Sequence, residues 1–527
     1  MVWWNTFKIK MKKIKNIVIV GGGTAGWITA HNFLNKTSKG VKVTVVAAPE
    51  IPTIGVGEST TGQFNALINL KDNTTDLNEK EFLKETQSTF KLGIKHTDWH
   101  TVGKSFYSPL ADNYYEEYKY PHWTYDNYRI YHVANNLAYD ETLQSQLMIN
   151  GRVHYQGTKS AYKHFPKIAV AYHLDTYKVG NYLKRKATSL KKCNYVKGEV
   201  VSFQQDSKGY IKSVKTKTGE LIKGDLFIDC SGFSRVLIDK AFSNKFISYQ
   251  DNLLVNRALT FNTQEKKIKN YTHAWAQRYG WLWQIPTQQR LGCGYVYSDN
   301  FINVDKAQQE IESVLGHKIT PQKDIKFHAG RLENFWIKNV LSTGLSSAFV
   351  EPLEATSIHA TLLQITHFIE NYYKEDLPFE CELLSQQYNS EIAQMWDTIR
   401  DFIIFHYITP RKDTRFWIES SSEERRSDKL KNLLNIWKHR MPRTVDYGGE
   451  NFYNLNNGLW YQIAIGMKLL NPTLAKKELK DYGLYDSTEI NYKWLSKSIK
   501  DAINTYTLTN DYYASLFEPI DSKQNLV

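Results

Sequence analysis

The sequence is poor in cysteine and has no apolar run long enough to span a bilayer. Its four cysteines, Cys193, Cys230, Cys293 and Cys381, never form a C-x-x-C pair. That spacing excludes a zinc knuckle and a dithiol redox motif, so no metal site is expected. A reducing cytoplasm is the compartment that fits. The N-terminal stretch does not read as a secretory leader either. Lys12, Lys13 and Lys15 precede an apolar stretch, but it runs straight into Gly21-Gly22-Gly23 with no small-residue cleavage site. Residues 1–10 read as an extension ahead of the fold, with Met11 a candidate internal start. There is no internal repeat, no low-complexity linker and no long basic tail. The balance of 67 basic and 54 acidic residues leaves +13, but the lysines are scattered. Neither a nucleic-acid nor a membrane partner is expected; a mild preference for anionic ligands uses the field equally well.

What is present is a large apolar complement. Of 527 residues, 42% are hydrophobic and 14% aromatic, enough for roughly two to three domain-sized units, perhaps interleaved. Ile14 to Val20 reads as a buried strand, followed by "GGGTAGW", a helix from about Ala25 to Leu34, and a second strand from Val41 to Val46. Gly21, Gly23 and Gly26 thus form G-x-G-x-x-G inside a β-turn-α-β unit, with Thr24 and Ala25 at the helix start. The first glycine allows the tight turn and the second lets backbone approach a pyrophosphate. The third lets helix and strand pack closely, and the helix N-terminus offers free N–H groups. The alternative is a structural glycine turn. One departure matters: Ala47 and Ala48 stand where an acid would hold the ribose hydroxyls, and Glu50 is close but shifted. "DLFIDCSGFSR", a strand ending in Asp229 before Ser231-Gly232, favours FAD over NAD as the dinucleotide; the alternative is an ordinary strand-to-loop junction.

The remaining pattern places further elements. "GVGEST" at 55–60 reads as a glycine turn entering a helix, and "NEKEFLKETQSTFKLGIKH" as a helix over about 78–96. Residues 100–165, rich in Tyr, His and Trp, look irregular. Asp175 is placed to cap a helix. Short strands fill 195–229, a second strand-rich block covers about 257–298, and helices dominate from about 356. The expected fold is α/β (α+β): an FAD-binding Rossmann-type module with a strand-rich insertion, packed against a mainly helical substrate module. Its expected division is a discontinuous FAD module, 11–100 and 166–375, an insertion at 101–165 beside the substrate pocket, and a helical module at 376–527.

At 280–286 the chain reads "GWLWQIP". Trp281-x-Trp283-x-Ile285-Pro286 resembles the W-x-W-x-I-P signature of flavin-dependent halogenases, the tryptophan halogenase family. Two tryptophans at i and i+2 point to one side of a strand. In the family they shield the flavin region; the plain alternative is two core aromatics. "PEIPTIGVGEST" at 49–60, "FKLGIKHTDW" at 90–99, "YHLDTYKV" at 172–179, "GLSSAFVEPLEATSIH" at 344–359, "RDFIIFHYITPRKDTRFW" at 400–417 and "GLWYQIAIG" at 458–466 resemble family segments in family order.

The resemblance implies an FADH2-dependent halogenase. Reduced FAD, oxygen and a halide (chloride, bromide or iodide) yield hypohalous acid, which travels to a separate pocket and halogenates an electron-rich aromatic substrate. Lys91 matches the lysine that receives it, as an ammonium donating a hydrogen bond or as an amine forming a haloamine. Lys95, one helical turn later, is the dispensable decoy. Glu354 matches the glutamate that assists proton loss; Glu351 competes, though Pro352 argues against a shared helix. Thr356 and Ser357 match the backbone halide site, where relatives carry Gly for Ser357 and Ser for Ala355. Leu345 and Ile358 match positions lining the isoalloxazine, and Val200 matches the adenine side. No second nucleotide motif for NADPH is seen, which suits a separate flavin reductase. A homodimer, the halide and the substrate are left open. The rivals are an FAD-dependent aromatic hydroxylase and a non-catalytic flavin-binding protein.

Overall fold

A strand buried on both faces needs a nearly continuous apolar run, and the segment Asn16–Val20, apolar and buried after its first residue, is one. It lies in the middle of a six-stranded sheet in the order Trp336–Ile337, Val340–Ser342, Leu226–Asp229, Asn16–Val20, Lys42–Ala47, Cys193–Lys197. All neighbours run parallel except the first two, which form an antiparallel hairpin. Helix Thr24–Lys36 packs beside helix Thr176–Thr188 and helix Thr356–Asn371, burying Trp27, Ile28, Phe33 and Leu34. The computed structural model describes residues 13–48, 57–70, 74–110, 125–156, 170–264, 267–376, 381–447, 455 and 457–517. Met11, Glu50 and most of the segment 49–60 therefore lie outside the described residues.

A seven-stranded sheet follows the order Pro321–Lys326, Arg257–Thr263, Leu291–Tyr297, Gly280–Pro286, Thr272–Ala276, Gly93–Thr97, Ser105–Pro109. Every pair is antiparallel except Thr272–Ala276 with Gly93–Thr97. The strand-rich blocks at 195–229 and 257–298 are thus present as expected. The helix expected over 78–96 is not. It runs only from Glu79 to Thr86 and stops at Gln87, which adopts a left-handed φ of 57°. Thr89–Lys91 then pairs with Ala171–Leu174. The reason is tertiary: Ser88, Thr89, Phe90 and Lys91 are buried, and pairing to distant strands overrides a helical pattern of single-residue propensities. Lys91 and Lys95 consequently sit on different strands rather than one helical turn apart.

Asp175 caps helix Thr176–Thr188 by accepting from the Tyr177 and Lys178 amides, both at 3.1 Å. The segment 100–165 is more regular than its composition indicates. Its described parts form strand Ser105–Pro109, helices Tyr125–Ala134 and Leu143–Ile149, and strand Arg152–Gln156. Helix Tyr125–Ala134 packs on helices Pro472–Asp481 and Tyr485–Ile503, and strand Arg152–Gln156 pairs with Tyr506–Leu508. This region and the C-terminal helices therefore share one apolar core. Among the described residues no helix is long and apolar enough to cross a membrane, and the four cysteines are free.

Candidate active site

The glycine turn is built by steric exclusion. Gly21 has φ +116°, and a Cβ there would lie 2.2 Å from the Cys230 carbonyl oxygen. A Cβ on Gly26 would lie 2.0 Å from the Gly21 oxygen. Gly23 caps the helix with no side-chain hydrogen bond, and no acid occupies the first turn. A helix start left uncapped fits a pyrophosphate. Gly344 brings the short turn Gly344–Ser346 against this helix: its Cβ would meet Ala25 at 2.6 Å. Leu345 is therefore adjacent to the cradle. Val200 is buried and begins its strand just past Gly198, whose amide donates to Ala47 at 2.9 Å. Ala47 itself abuts the turn, since a Cβ on Gly22 would meet it at 2.5 Å.

Asp229 is engaged within the protein itself. Its Oδ1 accepts from the Ser231 amide (3.0 Å) and hydroxyl (2.6 Å), and its Oδ2 from the Leu237 (2.8 Å) and Ile238 (3.0 Å) amides. With four donors this buried carboxylate organises the loop that follows, beside the cradle.

Lys91 is 1% exposed. Its Nζ donates to the Thr60 carbonyl at 3.2 Å. Burial lowers its pKa to about 8, partly opposed by the Glu354 carboxylate. Neighbouring His173, on the paired strand, is held well below its usual range by burial and then by Lys91. Lys95 is a different kind of group: half-buried, on the seven-stranded sheet, with Nζ 5.9 Å from the Tyr107 ring centroid.

The four residues Glu58 to Thr61 join the cradle to the lysine. Glu58 neighbours Thr24, and burial pushes its carboxyl up to about 7 against that hydroxyl. Thr60 receives Lys91, and the Thr61 hydroxyl meets His359 Nδ1 at 2.9 Å, in the first turn of helix Thr356–Asn371. That helix is capped by Ala355 in the left-handed region (φ 56°), which has no side chain to satisfy the first amides. Thr356 and Ile358 are buried and Ser357 half-buried; among the described residues the Thr356 hydroxyl has no partner.

Glu351 and Glu354 both precede this helix and part company. Glu351 is buried; its Oε1 accepts from Trp281 Nε1 (3.0 Å) and the Tyr407 hydroxyl (2.8 Å). Burial raises its pKa to about 8, against those two donors. Glu351 thereby fixes Trp281, whose ring centroid lies 6.2 Å from Trp283 on the same side of the strand. Glu354 keeps a side-chain exposure of 12%. Its Oε1 lies 2.9 Å from His406 Nε2 and 3.9 Å from His96 Nε2. His96 stacks on Phe106 at 4.6 Å and 11°; burial, followed by His406, holds it well below its usual pKa. His96 and His406 carried no sequence signal of their own. His406 lies within "RDFIIFHY", but nothing local distinguishes it from a core histidine.

The molecule thus combines a glycine cradle with a separate buried lysine and partly exposed glutamate, joined by one short segment. A family model for tryptophan halogenase matches residues 16–479. Tryptophan 7-halogenase RebH from Lentzea aerocolonigenes is 32% identical, covering 88% of this chain and 92% of its own. Tryptophan 6-halogenase ThaL from Streptomyces albogriseolus is 31% identical over the same shares. The solved structure of BrvH, a flavin-dependent halogenase from Brevundimonas sp. BAL3, superposes with a TM-score of 0.81 at 25% identity, covering 95% of this chain and 99% of that one. The chain belongs to the tryptophan halogenase family. The enzyme class expected from its motifs, a flavin-dependent halogenase, holds.

Proposed function

We propose that this enzyme passes hypohalous acid from a flavin site to Lys91, which activates it for attack by a small electron-rich arene beside Glu354. The observation that carries the reading is the buried lysine. An ammonium removed from water is costly unless it is paired. Among the described residues the only hydrogen bond of Lys91 Nζ goes to one backbone carbonyl, which leaves two ammonium N–H groups for a ligand.

Gly21, Gly23, Thr24, Ala25 and Gly26 would hold FAD through backbone amides at the helix start, with Leu345 and Ile358 toward the ring system and Val200 on the adenine side. Bound and reduced, FAD supplies with oxygen the oxidising equivalents that turn halide into hypohalous acid. Thr356 and Ser357 would hold the halide by their amides, which Ala355 leaves free. Trp281, fixed by Glu351, and Trp283 would wall the flavin region. Lys91 donates a hydrogen bond to hypohalous acid and increases its electrophilicity. Glu354 stabilises the cation formed on the arene and takes the departing proton. The rings of His96, Phe106 and Trp99 near Glu354 favour a flat aromatic substrate. A separate flavin reductase supplies FADH2.

The test is an incubation with a flavin reductase, a panel of small arenes and each halide in turn, read by mass spectrometry. Halide-dependent gain of halogen is expected; gain of oxygen without halogen would establish a hydroxylase instead.

A further inference from the structure

We propose that His406 is the positioning residue of Glu354: it clamps Oε1 with a held proton and leaves Oε2 as the single working oxygen. The inference rests on the reading of Glu354 given above and adds how that carboxylate is aimed.

The geometry leaves little freedom. His406 Nδ1 lies 2.8 Å from the Phe402 carbonyl oxygen, and Nε2 lies 2.9 Å from Glu354 Oε1. Both partners are acceptors, and a neutral imidazole has only one N–H. The pair therefore holds one proton more than a neutral ring beside a bare carboxylate. His406 is the last residue of the 25-residue helix Glu382–His406, where the helix dipole favours a cation. That places the proton on the ring, facing an ionised Glu354.

The same contacts exclude a relay. Nδ1 ends on a backbone carbonyl, which has no proton-accepting role, so a proton taken up by Glu354 has no exit through His406. His96 does not share the task. Its Nε2 is 3.9 Å from Oε1 and already engaged with the Ser108 hydroxyl at 2.9 Å. Among the described residues no hydrogen bond reaches Glu354 Oε2, and the side chain is still partly accessible. That oxygen is free to meet the substrate. A metal would use the same three side chains, whose donor atoms lie within 4.8 Å of one another. Two ligands on one tetrahedral zinc, each at about 2.0–2.1 Å from it, stand farther apart than the 2.9 Å between His406 and Glu354. That separation is a hydrogen bond.

The experiment compares His406→Phe, which fills the space without donating, with His406→Gln, whose amide reaches the Nε2 position and donates once. With Phe, kcat for arene halogenation should fall about 30-fold, the KM for arene should change less than about 3-fold, and release of hypohalous acid to a small-molecule trap should be unchanged. The Gln variant should recover to within about 5-fold of wild type. Nitrogen-15 histidine NMR on the flavin-free protein should find both His406 nitrogens protonated at neutral pH. In Glu354→Gln the Nε2 proton should be lost. A chelator should leave activity intact. Equal impairment of Phe and Gln variants, an unaffected Phe variant, a singly protonated His406, or activity lost to the chelator would each overturn the proposal. If wild type halogenates nothing, the proposed function fails while the NMR arm still decides the clamp. If the Phe variant does not fold, the Gln variant and the NMR still decide it.

Discussion

The glycine cradle and the lysine–glutamate chamber are separated by only four residues, Glu58 to Thr61, yet they are made by opposite means. The cradle is backbone: glycines where any Cβ would strike a carbonyl, a helix start without a cap, and a braced carboxylate, Asp229, turned inward. The chamber is side chains: Lys91, Glu354 and His406, brought from three distant parts of the chain. A backbone site tolerates changes of side-chain chemistry and fails on added volume. A side-chain site tolerates small changes of volume and fails on lost charge. Burial enforces the second rule, since it sets the protonation of Lys91 and His96.

Four substitutions or titrations test that contrast, and the largest effect belongs to the chamber. Lys91→Ala should reduce halogenation about a thousandfold while flavin titration is unchanged; activity that survives would show the lysine to be a bystander. Gly26→Val should do the converse. Its Cβ would press on the Gly21 oxygen from 2.0 Å, and overpacking of about 2 kcal/mol converts to roughly thirtyfold in flavin affinity. Retained tight binding would mean that the turn is less rigid than drawn. The third effect is of pH. Because Lys91 is lowered to about 8, the ammonium dominates below that value and is lost above it. Single-turnover halogenation should therefore fall about tenfold between pH 7 and 9; a rate that rises across that interval would identify the neutral amine, and a haloamine, as the active form. The smallest effect is at the proposed halide site. Ser357→Gly keeps the amide and should change the halide concentration for half-maximal rate by less than about threefold. A larger change would mean that the hydroxyl, not the backbone, holds the anion.

Much of this could be read in advance, and the failures are instructive. The β-turn-α-β unit, the cap at Asp175 and the strand blocks at 195–229 and 257–298 follow from local spacing and formed where spacing placed them. Lys91 was expected on a helix that stops short of it: its neighbours pair with Ala171–Leu174, a partner no local pattern names. Asp229 was read as a cofactor contact because it ends the right strand; the structure adds four donors from the loop behind it, which no local pattern names. Glu354 was chosen over Glu351 by motif register, and only the packed structure gives each its own partners, His406 for one and Trp281 with Tyr407 for the other.

The amino-acid order alone determined the glycine turn, the strand that feeds it and the helix that leaves it, because these depend on sterics between residues a few positions apart. Tertiary structure alone decided which ionisable groups meet and what charge each carries. Those depend on water being excluded from a space whose walls come from all along the chain, and no window of sequence contains that information.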